Sequence, residues 1–220
     1  MPSAAPGSIF FKELSMKQTD WEKYYASPAP TAFFARAVVR SHLLRMIQKT
    51  GINQKSSVAE LGGGGSCFAE KIRELFKIRN YTVYDSCEAG LRDFLRKNPG
   101  CGAIQTDLIQ WKTKEKYDLV FSVGLIEHFP EEKTAALIRK HFEMTKPGGY
   151  IILFFPTPTF LYRFTRKIAE TAGLWQFPDE RPLKKEELRN TADSCGTFLD
   201  GYTIYLNVLS QYAALYRKTQ

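Results

Sequence analysis

Apolar residues along the chain follow two spacings, and their alternation predicts the secondary structure. Short apolar runs of strand length are separated by stretches with a helical repeat. The predicted strands are Val58–Leu61, Tyr81–Tyr84, Gly102–Gln105, Leu119–Ser122 and Tyr150–Phe155. The predicted helices between them are Phe68–Lys77, Glu88–Arg96 and Glu131–Met144. Strands that alternate with helices are typical of a parallel sheet covered by helices on both faces, so we predict an α/β fold.

The two ends of the chain depart from this alternation. A helix is predicted to start near Thr31 and to end before Gly51. After residue 156, an aromatic and basic segment leads to a helical stretch that ends at Gly196. Two closing strands, "TFLDGYTIYL" and "SQYAALYRK", are then expected to pair as an antiparallel hairpin at one edge of the sheet. The predicted buried face of the first helix comprises Phe34, Ala37, Val38, Ser41, Leu44 and Ile47.

Composition and charge narrow the class of protein. Hydrophobic content of 44% and charged content of 25% are those of a soluble globular domain. No run of about 18 apolar residues occurs, so no membrane span is expected. The N-terminus does not resemble a signal peptide, and the four cysteines show no C-x-x-C spacing. Both features favour a cytoplasmic protein with reduced thiols.

Charged and metal-binding residues point to no single partner. The net charge is +8 (31 basic minus 23 acidic residues) and is spread along the chain. It is compatible with an anionic substrate, a membrane surface or nucleic acid, and equally with a modestly positive surface. His42, His128 and His141 are scattered, so the sequence predicts no metal site.

Four consecutive glycines follow the first predicted strand in "VAELGGGGSCFAEKI". A flexible linker is one reading, but a helical pattern starts directly after them. A strand, a glycine turn and a helix N-terminus together form a cradle in which a nucleotide-like ligand can approach the backbone. The third glycine of a G-x-G-x-x-G fingerprint is missing: that position is Cys67 when the motif is counted from Gly62, and Phe68 when it is counted from Gly63. Glu60, just before the glycines, suits a ligand that carries a cationic amino group.

Polar residues end the other predicted strands. Asp85 follows the second strand and could accept hydrogen bonds from both hydroxyls of a ribose. Asp107 follows the third and is placed to accept from an exocyclic amine. The fourth strand opens at Ser122–Gly124 and leads to Glu127 and His128. Each residue alone is a weak signal, but their order and spacing together are specific.

These motifs resemble those of the class I S-adenosylmethionine-dependent methyltransferases over about residues 51–220. "VAELGGGGS" is similar to their E/D-x-G-x-G-x-G motif, and "YTVYDS" to their acidic ribose-binding strand end. "QTDL", "YDLVFSVGLIEHF" and "TKPGGYIIL" resemble the adenine-contacting site, the fourth-strand motif and the turn into strand five. The resemblance implies a three-layer, Rossmann-like fold with a seven-stranded, mostly parallel sheet and an antiparallel last strand.

The resemblance also implies S-adenosylmethionine as cofactor and a set of residues that hold it. Glu60 would organise the loop and the ammonium group of the donor, Asp85 would hold the ribose, and Asp107 with Leu108 would meet the adenine. The full implied set is Glu60, Gly62, Gly63, Gly64, Asp85, Ser86, Asp107, Leu108, Ser122 and Val123.

Glu127 and His128 are the candidate catalytic residues. A histidine with an ordinary pKa near 6.5 could remove the proton of an oxygen or nitrogen acceptor at neutral pH. Alternatively, the two residues cap the following helix or pack beneath the cofactor. "SVGLIEHF" also looks locally like cyclopropane-fatty-acid synthases, although the likeness ends there.

The acceptor is expected to be a small molecule or biosynthetic intermediate. Residues 156–182 lie where the family often inserts substrate-recognition structure, and Tyr162, Arg163 and Trp175 could line a pocket there. Phe160, Leu161 and Phe164 in the same segment are expected to cover the sheet edge as core residues. The [DN]-P-P-[FYW] motif of base-amine methyltransferases is missing, which counts against DNA adenine methylation, and nucleic acid is not the expected partner. Methylation of RNA or a protein, and a non-catalytic partner subunit, stay open as alternatives.

Residues 1–50 are predicted to form an N-terminal helical arm before the domain at 51–220. Trp21, Tyr24 and Tyr25 share one helix face in it. They could form a lid over the donor, with Tyr25 among the substrate-binding residues, or could merely dock the arm.

Overall fold

The computed structural model describes residues 18–26, 30–206 and 209–219. Residues 1–17 and 27–29 of the predicted arm lie outside this description. The strands are β1 (Ser57–Leu61), β2 (Asn80–Asp85), β3 (Gly102–Gln105), β4 (Tyr117–Val123), β5 (Thr145–Pro156), β6 (Gly196–Leu206) and β7 (Leu209–Lys218). The helices are α1 (Trp21–Ala26), α2 (Pro30–Gln48), α3 (Ala69–Phe76), α4 (Glu88–Lys97), α5 (Glu131–Met144), α6 (Phe160–Thr171) and α7 (Lys185–Ala192). Within the described ranges, no helix combines the length and the apolar character needed to cross a membrane.

The seven strands form one sheet in the order β3-β2-β1-β4-β5-β7-β6. Neighbouring strands from β3 to β5 pair in parallel. β7 pairs antiparallel with both β5 and β6, so β7 runs against the rest of the sheet. The predicted sheet, with its antiparallel last strand and closing hairpin, is confirmed.

Helices pack on both faces of the sheet and give the predicted three layers. One apolar cluster joins α2, α3 and α4 to one face of the sheet, and a second joins α5 and α7 to the opposite face. Successive residues of β5 alternate between the two clusters, with Ile151 in one and Ile152 in the other. Such alternation is expected of a strand that is buried on both sides.

The predicted buried face of α2 is correct only in part. Ile47 is fully buried as predicted, and Val38 and Leu44 are half-buried against the core. Phe34, however, is 59% exposed and Ser41 is exposed. The other residues that the helix buries are Val39, Leu43 and Met46. The helix carries apolar residues around much of its circumference, so its spacing allows more than one apolar stripe. Contact with the sheet selects the stripe, and the sequence of the helix alone does not contain that contact.

The segment after β5 also differs from the prediction. It forms α6, and Phe160, Leu161 and Phe164 are 86%, 42% and 57% exposed, so they are not core residues. Tyr162 is the buried residue of this helix instead. Because residues 160 and 164 are one turn apart, both point away from the side of the helix on which Tyr162 lies.

Candidate active site

The glycine loop, residues 62–65, folds tightly at the end of β1. Gly62 has a φ of +71°, and its N–H donates a 2.8 Å hydrogen bond to the carbonyl oxygen of Tyr84 on β2. A Cβ on Gly63 would lie 2.5 Å from the side-chain carboxyl carbon of Glu60. The loop therefore needs glycine both for its left-handed turn and for the close approach of the glutamate.

Glu60 lies beneath the glycine loop and is buried. Its Oε2 accepts a 2.5 Å hydrogen bond from the hydroxyl of Tyr81 on β2. Burial raises the pKa of Glu60 to about 7, although hydrogen bonds from Ser66 and Tyr81 favour its charged form. The carboxyl group thus links Tyr81 of β2 to Ser66, which follows the glycine loop.

Asp85, at the end of β2, connects the glycine loop to the start of α4. Its Oδ2 accepts the N–H of Gly64 at 2.7 Å, and its Oδ1 accepts the N–H of Cys87 at 2.8 Å. Burial raises the pKa of Asp85, and these backbone hydrogen bonds oppose the rise. The carboxylate is therefore fixed in place beside the loop.

Tyr25 of α1 lies directly over the glycine loop. A Cβ added to Gly64, Gly65 or Gly90 would come within 3.2, 2.6 and 2.9 Å of the Tyr25 ring. The Tyr25 hydroxyl is 3.4 Å from Asp85 Oδ2. The arm thus covers the predicted donor site with an aromatic ring, and small residues beneath leave room for that ring.

The remaining predicted donor residues lie around the same edge of the sheet. Ser86 is exposed, and its carbonyl oxygen accepts a hydrogen bond from Gln105 at 3.2 Å. Asp107 is exposed, and its Oδ1 accepts the N–H of Ile109 at 2.9 Å. Leu108 is buried. Asp107 therefore shapes the turn after β3.

Ser122, one of the residues predicted to lie beneath the donor, is near the end of β4. It is fully buried, and its hydroxyl lies 2.9 Å from Nε2 of His141 on α5. Val123, the next residue, packs against the cluster on the other face of the sheet. Adjacent strand residues point to opposite faces, so the Ser122 side chain is turned toward α5. Only the backbone of Ser122 is then left to face the predicted cofactor site.

Glu127 and His128 lie in a single 3-10 turn, Ile126–His128, after β4. Glu127 is 2% exposed, and its Oε2 finds no hydrogen-bond partner among the described residues. Burial raises the pKa of Glu127 to about 8, while the neighbouring His128 opposes the rise. The turn therefore holds a buried carboxyl group with one oxygen that accepts no hydrogen bond from the described residues.

His128 is held by Asp179, which the sequence did not single out. Nδ1 of His128 lies 3.0 Å from Oδ1 of Asp179. Asp179 also accepts the backbone N–H of Thr19 at 3.1 Å and the Thr19 hydroxyl. Burial alone would lower the pKa of His128, but the hydrogen bond that its ring donates to Asp179 and the charges of Glu127, Asp179 and Glu180 raise it.

Glu180 completes a group that we call the acid–histidine cluster: Glu127, His128, Asp179 and Glu180. Glu180 accepts a hydrogen bond from the Tyr162 hydroxyl and lies 3.7 Å from Nη1 of Arg166. Ligand atoms of Glu127, His128 and Glu180 all lie within 4.8 Å of one another. Three carboxyl groups therefore surround one imidazole.

Aromatic rings line the acid–histidine cluster and link it to the glycine loop. The Trp21 ring centroid is 4.8 Å from that of His128 and 6.2 Å from that of Tyr25. Phe177 lies 5.8 Å from His128 and 6.3 Å from Trp175. One side of α1 thus contacts both the glycine loop and His128.

Of the predicted substrate residues, the structure brings two to the acid–histidine cluster. The Tyr162 hydroxyl donates a hydrogen bond to Glu180, and the centroid of the Trp175 ring lies 6.2 Å from that of the Tyr162 ring. Arg163 is exposed, on a different side of α6 from buried Tyr162, and does not join them. Tyr25 lies on the glycine loop instead.

Comparison with known families gives the class of protein that these elements define. A family profile described as a methyltransferase domain matches residues 33–190, which is well over half of the chain. The chain therefore belongs to this family and is an S-adenosylmethionine-dependent methyltransferase with S-adenosylmethionine as its cofactor. No curated protein matches it in sequence.

Solved structures share the fold at low sequence identity. The N-methyltransferase NodS of Bradyrhizobium japonicum, in complex with S-adenosylhomocysteine, is 17% identical, with a TM-score of 0.71 over 90% of this chain and 96% of that one. Magnesium protoporphyrin IX methyltransferase of Synechocystis, with bound S-adenosylhomocysteine, is 16% identical, with a TM-score of 0.72 over 90% and 93%. The methyltransferase crystallised with the Trm112 activator of Haloferax volcanii is 10% identical, with a TM-score of 0.71 over 93% and 100%.

Proposed function

We propose that this methyltransferase acts on an oxygen or nitrogen atom of a small molecule or biosynthetic intermediate, with His128 as the general base. The contact between His128 Nδ1 and Asp179 carries the proposal. A carboxylate on Nδ1 holds the proton there and leaves the Nε2 lone pair available. Nε2 can then remove the acceptor proton while the acceptor attacks the methyl carbon.

The glycine loop and Asp85 suit the donor that the family uses. Bound there, S-adenosylmethionine supplies an electrophilic methyl group on a sulfonium. Gly62, Gly63 and Gly64 would admit its methionine part, and Asp85 would accept from its ribose. The close packing of Glu60 under Gly63 supports this assignment, because a side chain at Gly63 would displace the glutamate. What the protein adds is alignment of the acceptor with the methyl group.

The arm and residues 156–182 complete the proposed reaction chamber. We infer that α1 acts as a lid, since Trp21 and Tyr25 contact the acid–histidine cluster and the glycine loop. A lid would exclude water from the sulfonium. Residues 156–182 would recognise the acceptor through Tyr162, Trp175 and Glu180. A site enclosed by Trp21 and Phe177 favours a small acceptor over a folded macromolecule.

The cysteines support a reducing compartment, and we propose the cytoplasm. Cys67, Cys87, Cys101 and Cys195 are unpaired in the part of the chain that the structure describes. Disulfides are rare in such compartments.

A comparison of acceptor classes tests the proposal. The protein would be incubated with S-adenosylmethionine and, separately, with a panel of small phenols and amines, total tRNA, or a protein extract, and release of S-adenosylhomocysteine would be measured. We expect turnover with small molecules and its loss in His128→Ala. Turnover with only tRNA or protein would support the alternative acceptors that the +8 charge allows. Donor binding without turnover would favour a non-catalytic partner subunit.

A further inference from the structure

The Glu127 carboxyl group is buried beside other acids with little to compensate it. Arg181 is close in the fold, because its backbone N–H donates to the Glu127 carbonyl oxygen at 2.8 Å. Its guanidinium, however, bonds both oxygens of Glu187, at 2.6 and 2.8 Å. Arg166 bonds Glu170 at 2.6 Å. Both arginines are therefore paired with other carboxylates, and the neighbouring His128 is the group of this cluster that offsets the charge of an ionised Glu127.

Three cations could fill the space among Glu127, His128 and Glu180: a proton, a metal ion or an organic ammonium group. A metal ion gains from oxygen and nitrogen ligands but little from aromatic rings. An ammonium group gains from both carboxylates and aromatic rings. The presence of Trp21 and Phe177 around His128, 4.8 and 5.8 Å away, favours the ammonium group.

We propose that the acceptor is a primary or secondary amine that binds as an ammonium ion beside Glu127 and Glu180. The proposal rests on the proposed function and specifies its substrate class. Glu127 supplies a buried, unpartnered carboxylate oxygen, and Glu180 is oriented by the Tyr162 hydroxyl. His128 is held through Nδ1 by Asp179, and a ring nitrogen of His128 lies within 4.8 Å of the ligand atoms of Glu127 and Glu180.

The chemistry of an amine uses each member of the cluster. The bound ammonium gives one proton to Nε2 of His128, which makes its nitrogen lone pair available. That lone pair forms a bond to the methyl carbon as the carbon–sulfur bond breaks and its electron pair stays on sulfur. The products are S-adenosylhomocysteine and a methylated ammonium ion, and the imidazolium returns its proton to water. Glu127 and Glu180 stabilise positive charge on the nitrogen before and after the transfer.

Matched amines and alcohols test the proposal. Pairs from methylamine and methanol up to 2-phenylethylamine and 2-phenylethanol would be titrated calorimetrically into the protein saturated with S-adenosylhomocysteine at pH 8. In at least one pair the amine should bind ten or more times tighter than its alcohol. Glu127→Gln keeps the shape but removes the charge, so the preference should vanish while S-adenosylhomocysteine affinity stays the same. Glu132→Gln, which alters an exposed carboxylate at the start of α5, is the matched control and should keep the preference.

Two results would overturn the amine proposal. One is that no amine binds better than its alcohol, or that the preference survives in Glu127→Gln. The other is tight binding of Mn²⁺ or Zn²⁺ that Glu127→Gln abolishes, which would make the cluster a metal site. Turnover of an alcohol would leave the proposed function standing, whereas failure to bind S-adenosylhomocysteine at all would remove that function too.

An independent observation concerns the outer face of α6. Phe160, Phe164 and Ile168, spaced four residues apart, are 86%, 57% and 54% exposed and form an apolar stripe. Arg163 and Lys167 are exposed one residue before Phe164 and Ile168. An exposed apolar stripe bordered by cations is the pattern of helices that lie in the interface of an anionic membrane.

We infer that the α6 stripe docks on an anionic lipid surface. Charge complementarity selects this partner: Arg163 and Lys167 border the stripe, the acidic Glu170 is paired with Arg166, and the net charge is +8. Burying two phenylalanines and an isoleucine supplies the apolar part of binding, and attraction to the lipid headgroups supplies the rest. Tyr162 on the same helix would then lie near the surface.

Co-sedimentation with vesicles tests the docking. The full chain should sediment with phosphatidylglycerol vesicles, weakly with phosphatidylcholine vesicles, and less at high salt. The double variant Phe160→Ser, Phe164→Ser should lower the bound fraction about fivefold or more. Leu75→Ser, at a leucine of α3 that is 51% exposed, is the control and should bind as the wild type does. Equal binding by the double variant would overturn the inference, as would self-association through this face without vesicle binding.

Discussion

At the scale of single residues, the proposed general base His128 depends on its contact with Asp179. The His128 hydrogen bond to Asp179 aligns the ring, and Asp179 stays ionised because its pKa is about 2: burial would raise it, but hydrogen bonds from His128 and Thr19 lower it. We expect His128→Ala to leave donor affinity nearly intact and to lower turnover by about 10²–10⁴, the usual range for general acid–base help. Steady-state kinetics would show the loss in kcat and kcat/KM together. Weaker donor binding in the variant would instead indicate a structural role.

The same pair gives a pH prediction. Because Asp179 and its acidic neighbours raise the pKa of His128 above 6.5, turnover should rise with pH with a midpoint above that value. Asp179→Asn removes a negative charge and should move the midpoint to lower pH while reducing the maximal rate. A pH–rate profile of both proteins measures the shift. An equal fractional loss at every pH would contradict the assignment of His128 as base.

Glu127 should make folding stability depend on pH. Burial raises its pKa to about 8, so the folded protein keeps a proton that the unfolded chain releases above about pH 4.5. Glu127 therefore lowers the free energy of unfolding as the pH rises from about 4.5 to about 8. Glutamine does not titrate, so the melting temperature of Glu127→Gln relative to wild type should be higher at about pH 8.5 than at about pH 5. Thermal unfolding at both pH values checks this, and an unchanged difference would refute it.

At the scale of elements, α1 is the segment on which the proposed closure depends. Tyr25 packs on Gly64, Gly65 and Gly90 and reaches Asp85. If α1 is a lid, Tyr25→Ala should speed dissociation of S-adenosylhomocysteine about tenfold, which stopped-flow measurements would detect. Glu22→Ala, at an exposed residue of the same helix, should leave the rate unchanged. Tighter binding in Tyr25→Ala would mean instead that the ring competes with the donor.

Elements with one clear apolar period could be predicted, and elements that depend on distant contacts could not. The bounds of α5, Glu131–Met144, are those expected, and β3 begins and ends as predicted. The buried face of α2 could be predicted only in part, because the helix has several apolar stripes. The exposure of Phe160 and Phe164 could not be predicted from the sequence, because phenylalanine side chains are most often buried.

The candidate site divides in the same way. Glu60 and Asp85 lie in the last residues of their strands, and Glu127 and His128 follow a strand closely. Their positions could be inferred because parallel strands end at one edge of the sheet. Asp179 could not, since it is 51 residues from His128 in an irregular segment with no periodic signal. Which side chain meets another across such a distance depends on the packing of the whole fold.

At the scale of the whole molecule, strand order brings the two halves of the site together. β1 lies between β2 and β4, so the glycine loop, Asp85 and the Glu127–His128 turn follow three adjacent parallel strands. The arm then covers this edge from one side, and the segment between β5 and α7 supplies Asp179 and Glu180 from the other. The proposed donor-binding and acceptor-binding residues therefore lie along one edge of the sheet.

Calorimetric titration of S-adenosylhomocysteine into wild type and Asp85→Ala tests the central claim, that the donor binds on the glycine loop beside Asp85. We predict measurable heat and thermal stabilisation for wild type. Charge-assisted hydrogen bonds are worth about 1.5–3 kcal/mol each, so losing the Asp85 carboxylate should weaken binding at least about tenfold. Wild type without heat or stabilisation, or a variant that binds as wild type does, would contradict the account.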